Sequence, residues 1–202
     1  MSKRIQLRIV GLLALAIVAG MPTRSLAQDA DDNVYSRNGF YANFGVVLGF
    51  ATFSNLGSDE VKDPLSLGMN ARLGYRFHPR IAAEAQFEWI DGWDVLRSGP
   101  DNDLRVERIV TGSANIKGFI LTKRIQPYGV LGLGATHIRE RDEATGNHRE
   151  SQTDFSVRVG AGADWYVTDA LGLNLEASFV APIGDLQDYH YTSLGIGFFI
   201  RF

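Results

Sequence analysis

Apolar and polar residues alternate with a period of two over most of the chain. The clearest run is SLGMNARLGYRF. Leu67, Met69, Ala71, Leu73, Tyr75 and Phe77 take one face, and Ser66, Gly68, Asn70, Arg72, Gly74 and Arg76 the other. Successive side chains of a strand point to opposite sides of the sheet, so this run predicts a strand with two unlike faces. The signature recurs. In a first strand over 40–53, Phe40, Ala42, Phe44, Val46, Leu48 and Phe50 oppose Asn43, Gly45, Gly49 and Ala51. Ile81, Ala83, Ala85, Phe87 and Trp89 oppose Glu84, Gln86 and Glu88, and Val106, Val110, Ala114, Ile116 and Ile120 oppose Arg105, Glu107, Thr111, Ser113, Asn115 and Lys117. Further on, Phe155, Val157, Val159, Ala161, Ala163 and Trp165 oppose Asp154, Ser156, Arg158, Gly160, Gly162 and Asp164. Leu171, Leu173, Leu175, Ala177 and Phe179 oppose Asn174, Glu176 and Ser178. The chain closes on Leu194, Ile196, Phe198, Ile200 and Phe202, spaced by two. The stretch PYGVLGLGATHIR, 127–139, reads as a strand too rich in glycine for its faces to be assigned.

These runs make eight strands of about ten or more residues, the length a tilted membrane-crossing strand needs. Links at 54–65, 94–103, 140–151 and 181–188 are long, and those at 78–80, 123–126 and 168–170 are short. Strict alternation of long and short links predicts an all-β, eight-stranded antiparallel up-and-down transmembrane barrel over 40–202, with short periplasmic turns and longer outer loops. An even strand number then puts both termini on the periplasmic side. A soluble barrel with the apolar face inside is the rival arrangement. Its wet face would carry more Lys and Glu and less glycine, whereas here Lys117 is the only lysine among the strand positions named above. Aromatic residues collect at strand ends as interfacial girdles do, with Phe40, Phe77, Trp165 and Phe202 at one end and Trp89 and Trp93 towards the other.

The start of the chain adds a route of export. Lys3, Arg4 and Arg8 precede an apolar run, Ile9 to Gly20, and Ser25-Leu26-Ala27 offers small residues where a signal peptidase reads. Residues 1–27 are therefore expected to be a signal peptide and 28–39 a polar periplasmic leader. Removing Lys3, Arg4, Arg8 and Arg24 would take the formal charge from −3 to −7. A mildly acidic chain without a basic cluster argues against a nucleic-acid partner. Hydrophobic residues make up 45% of the sequence, yet no later segment is apolar for long enough to form a membrane-spanning helix. There is no cysteine, so disulfides contribute nothing to stability.

Read as a barrel, the inward set carries Arg72, Arg76, Arg105, Lys117 and Arg158 against Glu84, Glu88, Glu107, Asp164 and Glu176. Charges buried in so narrow a lumen must pair. Across the tight turn at 78–80, Arg76 is expected near Glu84, and Arg72 near Glu84 and Glu88. The expected product is a plugged, ion-paired interior. Scattered histidines (His78, His137, His148 and His190) offer no metal site, and glycine-rich fragments within strands offer no nucleotide loop. No cofactor or metal is expected. Asp59, Glu60, Asp63, Asp101, Asp103, Asp185 and Asp188 give the outer loops an anionic rim. That rim suits solvation, or weak divalent-cation contacts shared with lipopolysaccharide phosphates.

The runs QPYGVLGLGA, VGAGADWYVTDALGLNLE and the terminal GFFIRF resemble the small eight-stranded outer-membrane barrels of the OmpA/OmpX and opacity-protein type, over essentially all of the chain after residue 27. The resemblance implies an outer-membrane surface protein without catalytic residues, contributing to envelope integrity or to contact with hosts, neighbours or ligands. It implies that the last strand, with Leu194, Ile196, Phe198, Ile200 and Phe202, is read by the barrel-assembly machinery after chaperoned passage through the periplasm. It also implies outer-membrane lipid and lipopolysaccharide as surroundings, with a host or cell-surface ligand at the outer loops. In that family the glutamate of strand seven is often followed by Tyr and Arg. Here Glu176 is followed by Ala177 and Ser178, which leaves a lumenal ion pair at that position unsupported. A second class is a lipid A-modifying enzyme or a narrow solute conduit; the candidates for the enzyme are His190, Thr192 and Ser193 near the last outer loop, with Asp188 as the carboxylate. Lipid A deacylases place a His-x-Ser pair there. His190-Tyr191-Thr192 has no serine at the matching place, so a polar strand end is the reading preferred.

Overall fold

The computed structural model describes residues 34–52, 60–61, 65–96, 104–142 and 148–202, all within one compact unit, Asn33–Phe202. The expected signal peptide and most of the leader lie outside the described residues, as do the side chains of Trp93, Arg105 and Glu107.

Nine strands follow in chain order: β1 (Gly39–Ala51), β2 (Glu60–Val61), β3 (Leu65–His78), β4 (Ile81–Leu96), β5 (Leu104–Phe119), β6 (Ile125–Asp142), β7 (His148–Tyr166), β8 (Leu171–Ile183) and β9 (Tyr191–Arg201). Eight are long, and each pairs antiparallel with its neighbours in sequence. β1 also pairs with β9, from Tyr41 opposite Arg201 to Ala51 opposite Tyr191, which closes the sheet on itself. The two residues of β2 merely extend the edge of β4, opposite Leu96 and Val95. Among the described residues no helix is long and apolar enough to cross a membrane; a closed barrel crosses with strands.

The burial pattern is inverted relative to a water-soluble barrel. Leu67, Leu73 and Ile196 are 65%, 58% and 58% exposed, whereas Glu88, Lys117 and Arg158 are each 1% exposed. The apolar rows read from the sequence face outwards and the charged rows face the lumen. A sheet in hydrocarbon must satisfy every backbone polar group internally, and closure through β1 and β9 does so along the whole seam.

Several boundaries differ from expectation. The long links shrink to 97–103 and 143–147, because β4 and β5 stay paired out to Val95 and Leu104, and β6 and β7 out to Arg141 and His148. The first strand stops at Ala51 rather than 53. In β6 the ambiguity resolves: Tyr128, Val130, Thr136 and Ile138 point inwards, and Leu131, Leu133 and Ala135 outwards. The inward face is also less uniformly polar than the alternation implies. Val47, Ile90, Ile109, Ile138, Val180, Leu186 and Tyr191 form an apolar cluster at the loop end. Tyr41, Ala82, Phe119, Tyr128 and Val130 form another at the turn end. The polar lumen lies between two apolar layers.

Gly162 and Gly184 are among the glycines that the geometry requires. Gly162 on β7 lies opposite Tyr128, and a Cβ there would overlap the phenol, so the missing side chain gives the ring its place. Gly184 has φ of +119°, a conformation open to glycine, and a Cβ would come within 2.9 Å of the Asp154 carboxylate. That turn lets Leu186 fold back into the loop-end cluster, where its N–H donates to Asp154 Oδ2 at 2.7 Å.

Candidate functional site

The inward side chains of all eight long strands join in one continuous network. Near the turn end, Tyr41 Oη donates to Glu84 Oε1 at 2.7 Å. Lys117 Nζ lies 3.5 Å from the same oxygen and 2.9 Å from Asp164 Oδ2. Asn174 Nδ2 donates to Asp164 Oδ1 at 2.6 Å and to Tyr128 Oη at 2.8 Å. Tyr128 passes the chain on, donating to Glu176 Oε2 at 2.8 Å. Arg72 Nη1 meets that same oxygen at 2.6 Å, and Ser178 Oγ donates to Glu176 Oε1 at 2.8 Å. Arg158 bridges onward, from Ser178 at 3.1 Å to Glu88 Oε1 at 2.8 Å. Tyr191 Oη donates to Glu88 at 2.9 Å and sits 2.8 Å from Thr111 Oγ1, which is 3.1 Å from Thr136 Oγ1. Gln86 donates to Glu88 Oε2 at 3.2 Å and accepts from Asn115 at 3.0 Å.

Three cations (Arg72, Lys117, Arg158) face four carboxylates (Glu84, Glu88, Asp164, Glu176) in this network. Charge-assisted bonds are roughly twice as strong as neutral ones, and breaking a buried pair from one side strands the other charge. The network is therefore held together by the cost of losing any member.

The partners differ from those expected. Across the β3–β4 ladder Arg72 stands opposite Gln86, Gly74 opposite Glu84 and Asn70 opposite Glu88. Arg72 nevertheless reaches over the lumen to Glu176 on β8, and Glu88 is taken by Arg158 on β7. Arg76 does not pair with Glu84; its guanidinium donates to the carbonyls of Pro79 and Tyr35 and to Gln126 Oε1, and lies 4.0 Å over the Phe119 ring. In a lumen this narrow the far wall is as reachable as the neighbouring strand, so ladder distance does not select the partner. The ion pair left unsupported at Glu176 exists, with its cation supplied by β3. Arg105 and Glu107 are placed by backbone alone, beside a register shift between Val106 and Arg108.

Three tyrosines, Tyr41, Tyr128 and Tyr191, carry hydroxyls that link the charged groups and were not singled out in the sequence. A signal was present for two of them: Tyr41 and Tyr128 fall on the inward parity and stand opposite Gly74 and Gly162.

Outside the lumen, Phe40, Phe77, Trp165 and Phe202 are exposed on the outer surface at the turn end, and Trp89 is half-buried on that surface further up. Leu194, Ile196, Phe198 and Ile200 form the outward row of β9. His190 packs edge-on against Phe179, ring centroids 5.9 Å apart, and its carbonyl accepts from the Thr52 N–H at 3.0 Å. Burial lowers the His190 pKa against the opposing pull of Asp188. Thr192 sits on β9 beyond it, half-buried, opposite Phe50 and Phe179. Of the anionic rim, Asp185 is exposed and Asp188 half-buried. Asp59, Asp63, Asp101, Asp103 and the Glu60 side chain lie outside the described residues.

Known proteins agree with this architecture. The crystal structure of Ail, the attachment invasion locus protein of Yersinia pestis, solved with the heparin analogue sucrose octasulfate, superposes with a TM-score of 0.57 at 16% identity, covering 82% of this chain and 99% of Ail. Neisserial surface protein A gives 0.58 at 16% identity, over 81% of this chain and 97% of that one. OprG of Pseudomonas aeruginosa gives 0.56 at 13%, over 83% and 97%. At these identities the likeness concerns the fold. Outer membrane protein Omp38 of Acinetobacter baumannii is 28% identical over 139 residues, 67% of this chain, and the match spans 38% of the length of that relative. The family described as outer membrane protein beta-barrel domain matches residues 11–202. A closed eight-stranded barrel, apolar outside and charged within, matched over nearly its whole length, makes this chain a member of that outer-membrane β-barrel family.

Proposed function

We propose that the protein is a non-enzymatic surface barrel of the outer membrane whose lumen is plugged, and that it serves envelope integrity and surface contact rather than diffusion of solutes. The observation that carries this reading is the network from Tyr41 to Thr136, which leaves its charges bonded across the lumen between two apolar layers. Single-channel recording on the refolded protein is the test. Rare, small openings that increase when Glu84 or Glu88 is neutralised are expected; a stable, large conductance in most insertions overturns the plug.

The same reading includes removal of residues 1–27, a periplasmic turn end, and contact of Phe40, Phe77, Trp89, Trp93 and Trp165 with the membrane interfaces. It assigns the β9 row ending at Phe202 to recognition by the assembly machinery. At the loop end, surface contact falls to links that each carry net negative charge, at 53–64, 97–103, 143–147 and 184–190. Ail, of the same fold, was solved with a heparin analogue. A polyanion of that kind would be repelled by these links unless divalent cations bridged it. Neutral or cationic partners, and cation-bridged lipopolysaccharide, fit them better.

A further inference from the structure

Among the described residues five cations are buried in the lumen, and they are treated in two ways. Arg72, Lys117 and Arg158 each have a carboxylate oxygen at 2.6 to 2.9 Å. Arg76 and Arg201, at the turn end, are 2% and 8% exposed, yet neither is ion-paired with a carboxylate among the described residues. Instead they converge on one peptide oxygen. The Tyr35 carbonyl accepts from Arg201 Nη1 at 2.8 Å, from Arg76 Nη1 at 3.1 Å and from Gln126 Nε2 at 3.1 Å. Arg201 also donates to the Arg37 carbonyl and, at 3.3 Å, to Tyr166 Oη, against whose ring Tyr35 packs with centroids 5.2 Å apart.

The acceptors met by these two guanidinium groups are all neutral: the carbonyls of Tyr35, Pro79 and Arg37, Gln126 Oε1 and Tyr166 Oη. Bonds from a guanidinium to an ionised acceptor are roughly twice as strong as those to a neutral one, and buried charge without a counter-charge is costly. Two planar forks and an amide N–H around one oxygen make the donor set that recognises carboxylate and phosphate. Elsewhere in the same lumen the fold supplies its own carboxylates; here, among the described residues, it supplies neutral oxygens, and three donors converge on the Tyr35 carbonyl.

We propose that Arg76, Arg201 and Gln126 form an oxyanion-binding site at the turn-end mouth of the lumen, in which the Tyr35 carbonyl is a stand-in that a phosphate or carboxylate group displaces. The site is separate from the plug and holds whether or not the lumen conducts. Two sources supply the same chemistry. One is a free small oxyanion. The other is the leader itself, which carries Asp29, Asp31 and Asp32 just ahead of Tyr35.

The test is a titration of the detergent-refolded protein with inorganic phosphate, against sodium chloride at equal ionic strength. It is followed by the NMR resonances of the Arg76 and Arg201 Nε–H groups and the amides of residues 34–38. A saturable shift confined to these groups is expected. If a free anion is the natural occupant, wild type and D29N/D31N/D32N saturate at the same phosphate concentration. If the leader's carboxylates compete, the triple variant saturates at a concentration about tenfold or more lower, a difference of about 1.4 kcal/mol in binding. Arg201→Gln should abolish the response and Gln126→Ala weaken it, each checked for folding by heat-modifiable electrophoretic mobility. No saturable response in either parent, or an undiminished response in folded Arg201→Gln or Gln126→Ala, overturns the proposal.

Discussion

Arg72 on β3 and Glu176 on β8 meet at 2.6 Å although 104 residues separate them, and both side chains are buried. Glu176→Gln would leave the Arg72 guanidinium without its counter-charge. A loss of about 3–5 kcal/mol in folding free energy is expected, as for other one-sided breaks of buried pairs. The double variant Arg72→Met/Glu176→Gln should lose less than the two single losses together. Urea unfolding from lipid vesicles measures both.

The outward row predicts a dependence on depth. Leu73→Arg, Val159→Arg and Leu175→Arg each place a cation on the lipid-facing surface in mid-strand and should cost about 2–4 kcal/mol. Ile81→Arg, beside the Pro79-Arg80 turn, should cost about 0–1 kcal/mol because its head can reach the interface. Equal costs at all four sites in the same vesicles would contradict a membrane-spanning outer face.

Gly162→Val would drive its side chain against both the Tyr128 phenol and the Leu175 backbone carbonyl. Overpacking of this kind costs about 1–3 kcal/mol. Tyr128→Ala carries its own penalty, since it removes the donor to Glu176 and the acceptor for Asn174. In its presence the valine should cost less by the part of the clash the ring contributes, the part against the Leu175 carbonyl remaining, and a double-mutant cycle on unfolding free energies measures that coupling.

Removal of Phe202 should separate assembly from stability. The side chain is 74% exposed on the outer surface, and its N–H donates to the Phe40 carbonyl at 2.9 Å. Little stability in detergent is lost with it, whereas pulse-chase appearance of the heat-modifiable folded form in cells is expected to slow markedly. Equal rates for the two proteins would reduce Phe202 to an ordinary interfacial residue.

Strand number, facing and connectivity were legible because a two-faced strand in lipid leaves a period-two trace in every crossing. The trace failed at 127–139, where glycine sits on both faces, outward at Gly129 and inward at Gly132. It also overstated the loops, since Asp94, Val95 and Arg141 continue the ladder although their side chains no longer alternate by polarity. Pairing inside the lumen was not legible in kind. Whether Glu88 meets Arg72, sixteen residues away in sequence, or Arg158, seventy away, depends on which rotamers cross the cavity, and periodicity carries no information about that. Arg201 falls on the inward parity of β9, but its closest partners are backbone carbonyls, which periodicity does not encode.

The seam between β1 and β9 makes completion of this molecule an event rather than a gradual approach. Until Tyr191–Arg201 docks beside Gly39–Ala51, every intermediate has two raw margins lined with N–H and C=O groups. In hydrocarbon each such group costs several kcal/mol, and in water it invites pairing with another chain. A chain lacking β9 would therefore carry that cost at both margins in lipid and that tendency to pair in water.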